Sequence, residues 1–208
     1  MAKLQVAIDL LTTEAALELA SKVAPYVDII ELGTPLIKAE GLKVVTAMKE
    51  AHPTKLVFAD MKTADTGALE AEMAFKAGAD LVTVMGAVDD ATIKGAVEAA
   101  AKYGRKVVVD TIGVKDRVQR AKEVTAFGVA FVELHAGLDE QELPGYSIQK
   151  LIDEGKAANV PFSIAGGVNI NTIKAVLEAG AEVIVAGGAI YGAEDPAAAA
   201  KALKEAIS

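Results

Sequence analysis

The sequence lacks cysteine and tryptophan entirely, and aromatic side chains make up only 4% of its 208 residues. Without cysteine there is no disulfide framework, thiolate nucleophile or Cys-ligated zinc site. Basic residues are few, 21 against 29 acidic ones, and the formal net charge of −8 argues against nucleic-acid or anionic-membrane partners, which need basic surface. No apolar run approaches the roughly 18 residues of a membrane span, and Lys3 and Asp9 interrupt the N-terminal stretch, unlike a signal peptide. We therefore expect a soluble, cytoplasmic protein.

Short runs of β-branched and other apolar residues alternate along the chain with alanine-rich segments of helical spacing. Nearly continuous hydrophobicity is typical of parallel strands that are covered on both faces. Strands are predicted at 4–8, 27–31, 56–60, 81–85, 106–110, 130–134, 161–165 and 183–187. Gly78, Gly128 and Gly180 each precede an even-numbered strand, as left-handed glycines that end helices do. The pattern predicts an α/β fold, a single-domain (β/α)8 TIM barrel over residues 1–208, with a doubly wound open sheet as the structural alternative.

Acidic residues stand at the carboxyl ends of four predicted strands, where the active sites of such barrels lie. They are Asp9, Glu31, Asp60 and Asp110. One isolated acid there is usually a helix cap or a solvated turn, but four equivalent positions favour a shared site. Glu31 and Asp60 lie on neighbouring strands, and like charges held together need a cation or a shared proton. A divalent ion such as Mg²⁺ prefers these oxygen ligands, so a metal site and a proton-sharing carboxylate pair are both open.

Strand alternation also predicts that Lys62 lies on the same side as Asp60, in the barrel mouth. Lys62 would bind an anionic oxygen or donate a proton, unless it forms only a salt bridge at the rim. Asp65 begins the next predicted helix, and an N-cap is its simplest role. His135 shares the side-chain register of Glu133 and is expected to face the mouth, where imidazole suits proton transfer, or else only shapes the site. Glu133 lies deeper and has no assigned role.

Two glycine pairs follow the last two strands, where phosphate sites recur in this fold. They are Gly166-Gly167 and Gly187-Gly188. Their backbone N–H groups and the N-terminus of the next helix would hold a phosphate, and the alternative is that they form tight turns only. The second histidine, His52, precedes Pro53 and is expected in an exposed loop.

The segments that carry these residues resemble the 3-hexulose-6-phosphate synthases, a family of the orotidine monophosphate decarboxylase suprafamily. The resemblance covers essentially the whole chain and runs through Ile-Glu31-Leu-Gly-Thr-Pro, Asp60-Met-Lys62-Thr-Ala-Asp65 and His135-Ala-Gly-Leu-Asp-Glu-Gln. The Asp-x-Lys-x-x-Asp motif is specific for the suprafamily. The resemblance implies an aldehyde-lyase that condenses formaldehyde with D-ribulose 5-phosphate through an enediolate, with Mg²⁺ as cofactor and Mn²⁺ as a substitute.

The resemblance also implies residue roles. The implied catalytic residues are Asp60, Lys62, Asp65 and His135; the metal ligands are Glu31 and Asp60; and the substrate-binding residues are Asp9, Asp110, Gly166, Gly167, Gly187 and Gly188. The family implies a homodimer with its active sites at the interface, where Asp65 reaches into the partner's site, a role that competes with capping. His135 is the first choice for the base, and Lys62 and the carboxylates remain alternatives.

Three other functions are alternatives to the synthase: a decarboxylase, an epimerase and a non-catalytic binder. A 3-keto-L-gulonate 6-phosphate decarboxylase shares the implied metal and intermediate, but that relative carries an arginine three residues after its histidine, where this chain has Leu138. A ribulose-phosphate epimerase relies on several histidines, and this chain has two. A non-catalytic sugar-phosphate binder would not need a base beside a metal.

Overall fold

A computed structural model describes residues 2–208 as a closed barrel of eight parallel strands in sequential order. The strands are β1 Lys3–Ile8, β2 Ile29–Leu32, β3 Leu56–Thr63, β4 Leu81–Met85, β5 Lys106–Asp110, β6 Phe131–His135, β7 Phe162–Ala165 and β8 Val183–Ala186. The helices are α1 Thr13–Val23, α2 Thr34–Glu40, α3 Lys43–Ala51, α4 Gly67–Lys76, α5 Asp90–Tyr103, α6 Arg117–Thr125, α7 Leu138–Gln141, α8 Gln149–Ala158, α9 Ile173–Glu178, α10 Gly188–Tyr191 and α11 Pro196–Ala206. Because β1 pairs with β8 as well as with β2, the open sheet is excluded and the predicted (β/α)8 barrel is confirmed.

The barrel encloses an apolar layer with a polar layer above it. Apolar side chains of seven strands form one buried cluster inside the barrel: Ile29, Phe58, Leu81, Val108, Phe131, Ala165, Val183 and Val185. Two residues after Ile29, Phe58, Val108 and Phe131, the same strands carry Glu31, Asp60, Asp110 and Glu133. Side chains two apart on a strand share a face, so these acids lie above the apolar layer, toward the carboxyl ends of the strands.

The helices end as the glycine pattern predicts. Gly78, Gly128 and Gly180 have φ angles of +109°, +92° and +89°. Only glycine adopts this region at little cost, so each turns the chain from a helix into an even-numbered strand. Across residues 2–208, no helix is both long enough and apolar enough to cross a membrane.

His52 does not lie in an exposed loop, contrary to the prediction. It ends α3, where its backbone N–H donates to the Met48 carbonyl at 2.9 Å. Its ring is partly buried, and the Nε2 atom lacks both solvent and a hydrogen-bond partner. Burial, followed by the nearby charge of Lys55, lowers the pKa of His52. The prediction was wrong because the Pro53 that follows indicates where the helix ends, whereas the burial of His52 depends on tertiary packing that the local sequence does not show.

Candidate active site

Lys62 joins two of the predicted acids at the mouth of the barrel. Its Nζ lies 2.5 Å from Asp110 Oδ2 and 3.1 Å from Asp60 Oδ2. Burial by itself lowers the pKa of Lys62, but the charges of Asp60 and Asp110 outweigh it and raise the pKa above its usual value. Lys62 therefore keeps its proton at neutral pH and is a cation and hydrogen-bond donor, which disfavours it as the base.

Lys62 does not reach this place by regular strand alternation, as the sequence reading assumed. The register of β3 against β4 shifts between Ala59 and Thr63, and Lys62 has a φ of +43°. Its backbone N–H donates to Thr83 Oγ1 at 2.8 Å. A bulge of this kind bends the strand and redirects a side chain. The residues do meet as predicted, but a strained backbone brings them together.

Asp60 is held in one orientation by donors on both of its oxygens. Thr34, the first residue of α2, donates its hydroxyl to Oδ2 at 2.7 Å and its backbone N–H to the same oxygen at 3.3 Å. Thr83 donates to Oδ1 at 2.8 Å. Asp60 is 5% exposed, so these donors replace the water that an exposed carboxylate would bind.

His135 pairs with Asp110, on the same carboxylate oxygen that Lys62 contacts. His135 Nδ1 is 2.9 Å from Asp110 Oδ2, and Asp110 Oδ1 accepts the backbone N–H of Ile112 at 2.8 Å. Burial opposes the charge of Asp110, but His135 and then Lys62 lower the pKa of Asp110 well below its usual range. Burial likewise opposes the charge of His135, yet Asp110 raises its pKa above the usual value. Because Nδ1 is engaged by Asp110, Nε2 is the ring nitrogen left for proton exchange.

Two further acids lie deeper in the barrel. Glu31 is 4% exposed and Glu133 is 1% exposed. Gln5 Nε2 donates to Glu31 Oε2 at 2.7 Å, and Ser163 Oγ lies 3.4 Å from Glu133 Oε1. Burial and then the charge of Glu133 raise the pKa of Glu31 well above its usual range. Burial and then Asp110 raise the pKa of Glu133 to about 7. The sequence analysis assigned no role to Glu133, although the side-chain register that it shares with His135 predicted that it faces the inside of the barrel.

The acids fit a hard divalent cation. Asp110, Glu133 and His135 offer ligand atoms within 4.8 Å of one another, whereas the sequence reading selected Glu31 and Asp60. Asp110 already pairs with both Lys62 and His135. Within residues 2–208, in contrast, the hydrogen-bond partner of Glu31 is only the neutral amide of Gln5, and the Oε1 atom of that amide is buried without any partner. A carboxyl group whose pKa is raised by burial and then by neighbouring acids, beside an amide oxygen without a partner, suits an oxygen-seeking ion.

Asp9 directly follows β1 and faces the same charges. Burial and then the charge of Asp60 raise the pKa of Asp9, while Lys62 and His135 oppose that rise. Gly33, which directly follows β2, leaves room for Asp9: a Cβ on Gly33 would collide with the Asp9 carboxylate and lie 2.8 Å from the Ile8 carbonyl. The structure thus brings Asp9, Asp60, Lys62, Asp110 and His135 into one electrostatic cluster.

The two glycine pairs differ in their surroundings. Gly166 and Gly167 have φ angles of +121° and +78°, and a Cβ on Gly166 would lie 2.7 Å from the Ala136 carbonyl. The next helix begins only at Ile173, so the prediction of an adjoining helix N-terminus is wrong for this pair. Gly188 is itself the first residue of α10, as predicted.

Packing within the chain does not require glycine at Gly187 or Gly188, the second pair. A Cβ on Gly187 would meet its nearest atom at 3.5 Å and one on Gly188 at 3.8 Å, both on Tyr191. These are ordinary contact distances, so a side chain could be accommodated at either position in the free protein.

Asp65 lies apart from this cluster. It is exposed, and its Oδ1 accepts the backbone N–H of Thr66 at 2.7 Å. The predicted N-cap is wrong: α4 begins at Gly67 after Thr66, whose φ is +48°, and no side chain caps it. Among residues 2–208, Asp65 makes no hydrogen bond to Asp60, Lys62 or His135.

A closed barrel with acids, a lysine and a histidine at its carboxyl-terminal mouth has the architecture of a (β/α)8-barrel enzyme. The comparisons with known proteins agree: residues 2–203 match the orotidine 5'-phosphate decarboxylase / HUMPS family, and the chain belongs to that family. It is an enzyme of the lyase class.

The chain is 68% identical to a 3-hexulose-6-phosphate synthase of Mycobacterium gastri, over 99% of this chain and 100% of the relative. A crystal structure of a 3-hexulose-6-phosphate synthase superposes with a TM-score of 0.98 at 69% identity, covering 99% of this chain and 100% of the other. A 3-keto-L-gulonate-6-phosphate decarboxylase from Vibrio cholerae has a TM-score of 0.85 at 32% identity, covering 99% of this chain and 97% of the other.

Proposed function

We propose that this enzyme condenses formaldehyde with D-ribulose 5-phosphate to give D-arabino-hex-3-ulose 6-phosphate. The observation that carries the proposal is the chain of charges from Asp60 through Lys62 and Asp110 to His135, with the closest of these distances at 2.5 Å. This arrangement joins a proton acceptor to a fixed positive charge. The 68% identity to a synthase, against 32% to a decarboxylase, supports the same reaction.

The reaction needs a proton to leave the ketose carbon beside the carbonyl, giving an enediolate. His135 is the proposed base: Asp110 holds its Nδ1, which orients Nε2 toward the substrate and stabilises the imidazolium that forms. Lys62, which stays protonated, donates a hydrogen bond to the oxygen that becomes negative. The enediolate carbon then attacks formaldehyde: the new carbon–carbon bond forms as the C=O π bond opens, and the resulting alkoxide takes the proton from the His135 imidazolium, which restores the base.

Glu31 and Asp60 are the proposed ligands of Mg²⁺, for which Mn²⁺ is a substitute. When bound, the ion supplies further positive charge for the developing oxyanion. Thr34 and Thr83 keep the Asp60 carboxylate in a fixed orientation in the absence of the ion.

The sugar phosphate is proposed to span from the acids to the glycine pairs. Asp9 and Asp110 contact its polar groups, while the backbone of Gly166, Gly167, Gly187 and Gly188 holds its phosphate. A Cβ at Gly187 or Gly188 would make only ordinary contacts within the chain, so internal packing does not demand glycine there, which supports a role of these glycines toward a ligand. Formaldehyde offers few contacts, so most binding energy must come from the phosphate end.

The enzyme is further proposed to be a homodimer in which Asp65 acts in the partner's site. Asp65 is exposed and lacks a role in its own cluster. On the adjoining helix α4, Leu69 is 59% exposed and Met73 is 47% exposed. Residues four apart lie on one helix face, so an apolar strip stands beside Asp65, as a subunit contact would require.

The direct test is formaldehyde consumption by purified protein. We expect loss of formaldehyde only when D-ribulose 5-phosphate is present, abolition of that loss by a chelator, and recovery on addition of Mg²⁺ or Mn²⁺. Full activity in the chelator would remove the metal from the proposal. No consumption with either ion would favour a non-catalytic sugar-phosphate binder.

Leu138 distinguishes the synthase from the decarboxylase. It is the first residue of α7, three residues after His135, and is 68% exposed. An apolar side chain cannot donate a hydrogen bond to a carboxylate or help to deliver a proton, so we expect slow decarboxylation of 3-keto-L-gulonate 6-phosphate. A decarboxylation rate equal to the condensation rate would reverse the order of the two candidates.

A further inference from the structure

Arg117 is a buried cation outside the charge cluster of the candidate site. It is the first residue of α6, and its side chain is only 5% exposed. The guanidinium lies 2.5 Å from Glu140 Oε2 and 3.5 Å from Glu154 Oε2. Burying a guanidinium is costly unless acids compensate it, and here two carboxylates do so.

The third partner of Arg117 is the main chain of His135. Arg117 donates to the His135 carbonyl at 3.1 Å. On the other side of the same residue, the His135 backbone N–H donates to Thr111 Oγ1 at 3.1 Å. Both polar groups of the His135 backbone are therefore fixed by side chains of the β5–α6 segment, while Asp110 fixes the ring.

We propose that Arg117 is a positioning residue that holds His135, and through Glu140 the start of α7, in the geometry that the reaction needs. The inference rests on the proposed function for its kinetic consequences. Arg117 lies behind the backbone of His135 and acts on the substrate only through it. Without the guanidinium, β6 loses one anchor at its end, and Glu140 no longer ties α7 to α6.

Only arginine meets these geometric demands. Its planar fork donates in several directions at once, whereas the ammonium of lysine is a single point on a shorter side chain. Lysine at position 117 would preserve the positive charge near Glu140 and Glu154 but could not also reach the His135 carbonyl in the same way. A misplacement of about 1 Å can lower a rate by about 100-fold even when the chemistry is untouched.

Arg120 provides a matched control on the same helix. It donates to the Gly86 carbonyl at 2.8 Å and to the Val88 carbonyl at 3.0 Å, and it pairs with Asp90 at 2.8 Å. Like Arg117, it binds main-chain oxygen and an acid, and it ties α6 to a loop. That loop follows β4 and does not carry His135.

The experiment compares Arg117→Met, Arg117→Lys and Arg120→Met in the full chain. The first measurement is kcat and KM for D-ribulose 5-phosphate in the formaldehyde assay. The second is the position of the His135 ring signals in NMR spectra at one fixed pH. Because the chain has two histidines, a His52→Gln variant assigns them.

We expect Arg117→Met to lower kcat by about 10- to 100-fold with KM changed less than about threefold, and to shift the His135 ring signals. Arg117→Lys is expected to fall between it and the wild type, and Arg120→Met to retain wild-type kcat and ring signals. If Arg117→Met does not fold, the Lys variant decides by the same two measurements.

Wild-type kcat and ring signals in the Arg117 variants would overturn the proposal, as would an equal loss in Arg120→Met. If the wild type consumes no formaldehyde, the proposed reaction fails. The ring signals then still test the positioning role, since they do not depend on turnover.

Discussion

At the scale of single residues, the candidate site is a set of ionisable groups whose protonation is fixed by their neighbours. Despite burial, Asp60 and then Asp110 raise the pKa of Lys62, and His135 and then Lys62 lower the pKa of Asp110, so both groups stay charged. Burial and then neighbouring acids raise the pKa values of Glu31 and Glu133, which favours the neutral form of each. Groups with opposite shifts within one pocket are characteristic of catalytic sites, and each shift leads to a measurable consequence.

Replacing Asp60 by asparagine is expected to reduce turnover by at least about 100-fold without unfolding the protein. The amide keeps the size of the side chain. Its single oxygen can still accept the hydrogen bonds that Thr34 donates, while its NH2 group faces Thr83, whose hydroxyl oxygen can accept. It removes the negative charge that faces Lys62 and the proposed metal. Steady-state kinetics and a thermal melt measure the two effects, and normal turnover would contradict the assignment of the site.

Glu133→Gln is expected to stabilise the metal-free protein at alkaline pH. The fold raises the pKa of Glu133 from 4.5 to about 7, so the protonated acid is the form that the fold favours. That preference is fully present below pH 4.5 and is lost as the pH rises through about 7. The shift corresponds to about 3 kcal/mol at most, and the glutamine variant avoids this loss because it carries no charge.

The measurement is urea unfolding in chelator at pH 4 and pH 8, with the exposed Glu98→Gln as control. The variant's advantage over the wild type should be present at pH 8 and small at pH 4. An advantage that is the same at both pH values, or that Glu98→Gln shares, would show that Glu133 does not carry the effect.

At the scale of elements, β3 combines a regular half with a bulged half. Phe58 and Asp60 follow the ordinary alternation, whereas the register shift after Ala59 and the positive φ of Lys62 redirect the end of the strand. A non-glycine residue in this region costs free energy. The hydrogen bond from Lys62 to Thr83 and the two ion pairs of its ammonium hold the backbone there.

Comparison of Lys62→Gly with Lys62→Ala isolates that backbone cost. Both variants lose the ammonium and should lose activity, but only alanine keeps a Cβ at a φ of +43°. We expect the glycine variant to be more stable by about 1 kcal/mol in urea unfolding. Alanine equal to or more stable than glycine would mean that residue 62 is unstrained.

The sequence predicted the strands and the residues at their ends because both depend on local patterns. Continuous apolar runs mark the buried strands, and acids at the carboxyl ends of four of these strands mark the mouth. The bulge at Lys62 was not predictable, since it depends on pairing with β4 across the barrel. Nor was Arg117, whose partners are 18, 23 and 37 positions away in sequence. Asp65 was misread because capping depends on the φ of Thr66, which no composition rule favours.

At the scale of the whole molecule, the proposed dimer predicts that two differently inactivated chains can restore an active site together. If Asp65 acts in the partner's site, mixing Asp65→Ala chains with His135→Ala chains forms heterodimers in which one site has both residues intact. Some formaldehyde consumption should return on mixing, up to about one quarter of the wild type for random association of equal amounts.

Each variant alone serves as the control and should be inactive. Mass spectrometry of the intact complex verifies that heterodimers have formed. Absence of activity in verified heterodimers would assign Asp65 to its own chain, and monomers in solution would remove the interface altogether.

The exposure of Leu138 has a consequence for how such enzymes diverge. A side chain that is 68% in solvent contributes little to folding, so this position can change while the barrel remains intact. The residue that we expect to separate condensation from decarboxylation is therefore one at which mutations are tolerated. Ancestral and descendant activities can be connected by proteins that all fold, and a lineage can exchange one chemistry for the other without first acquiring compensatory stability.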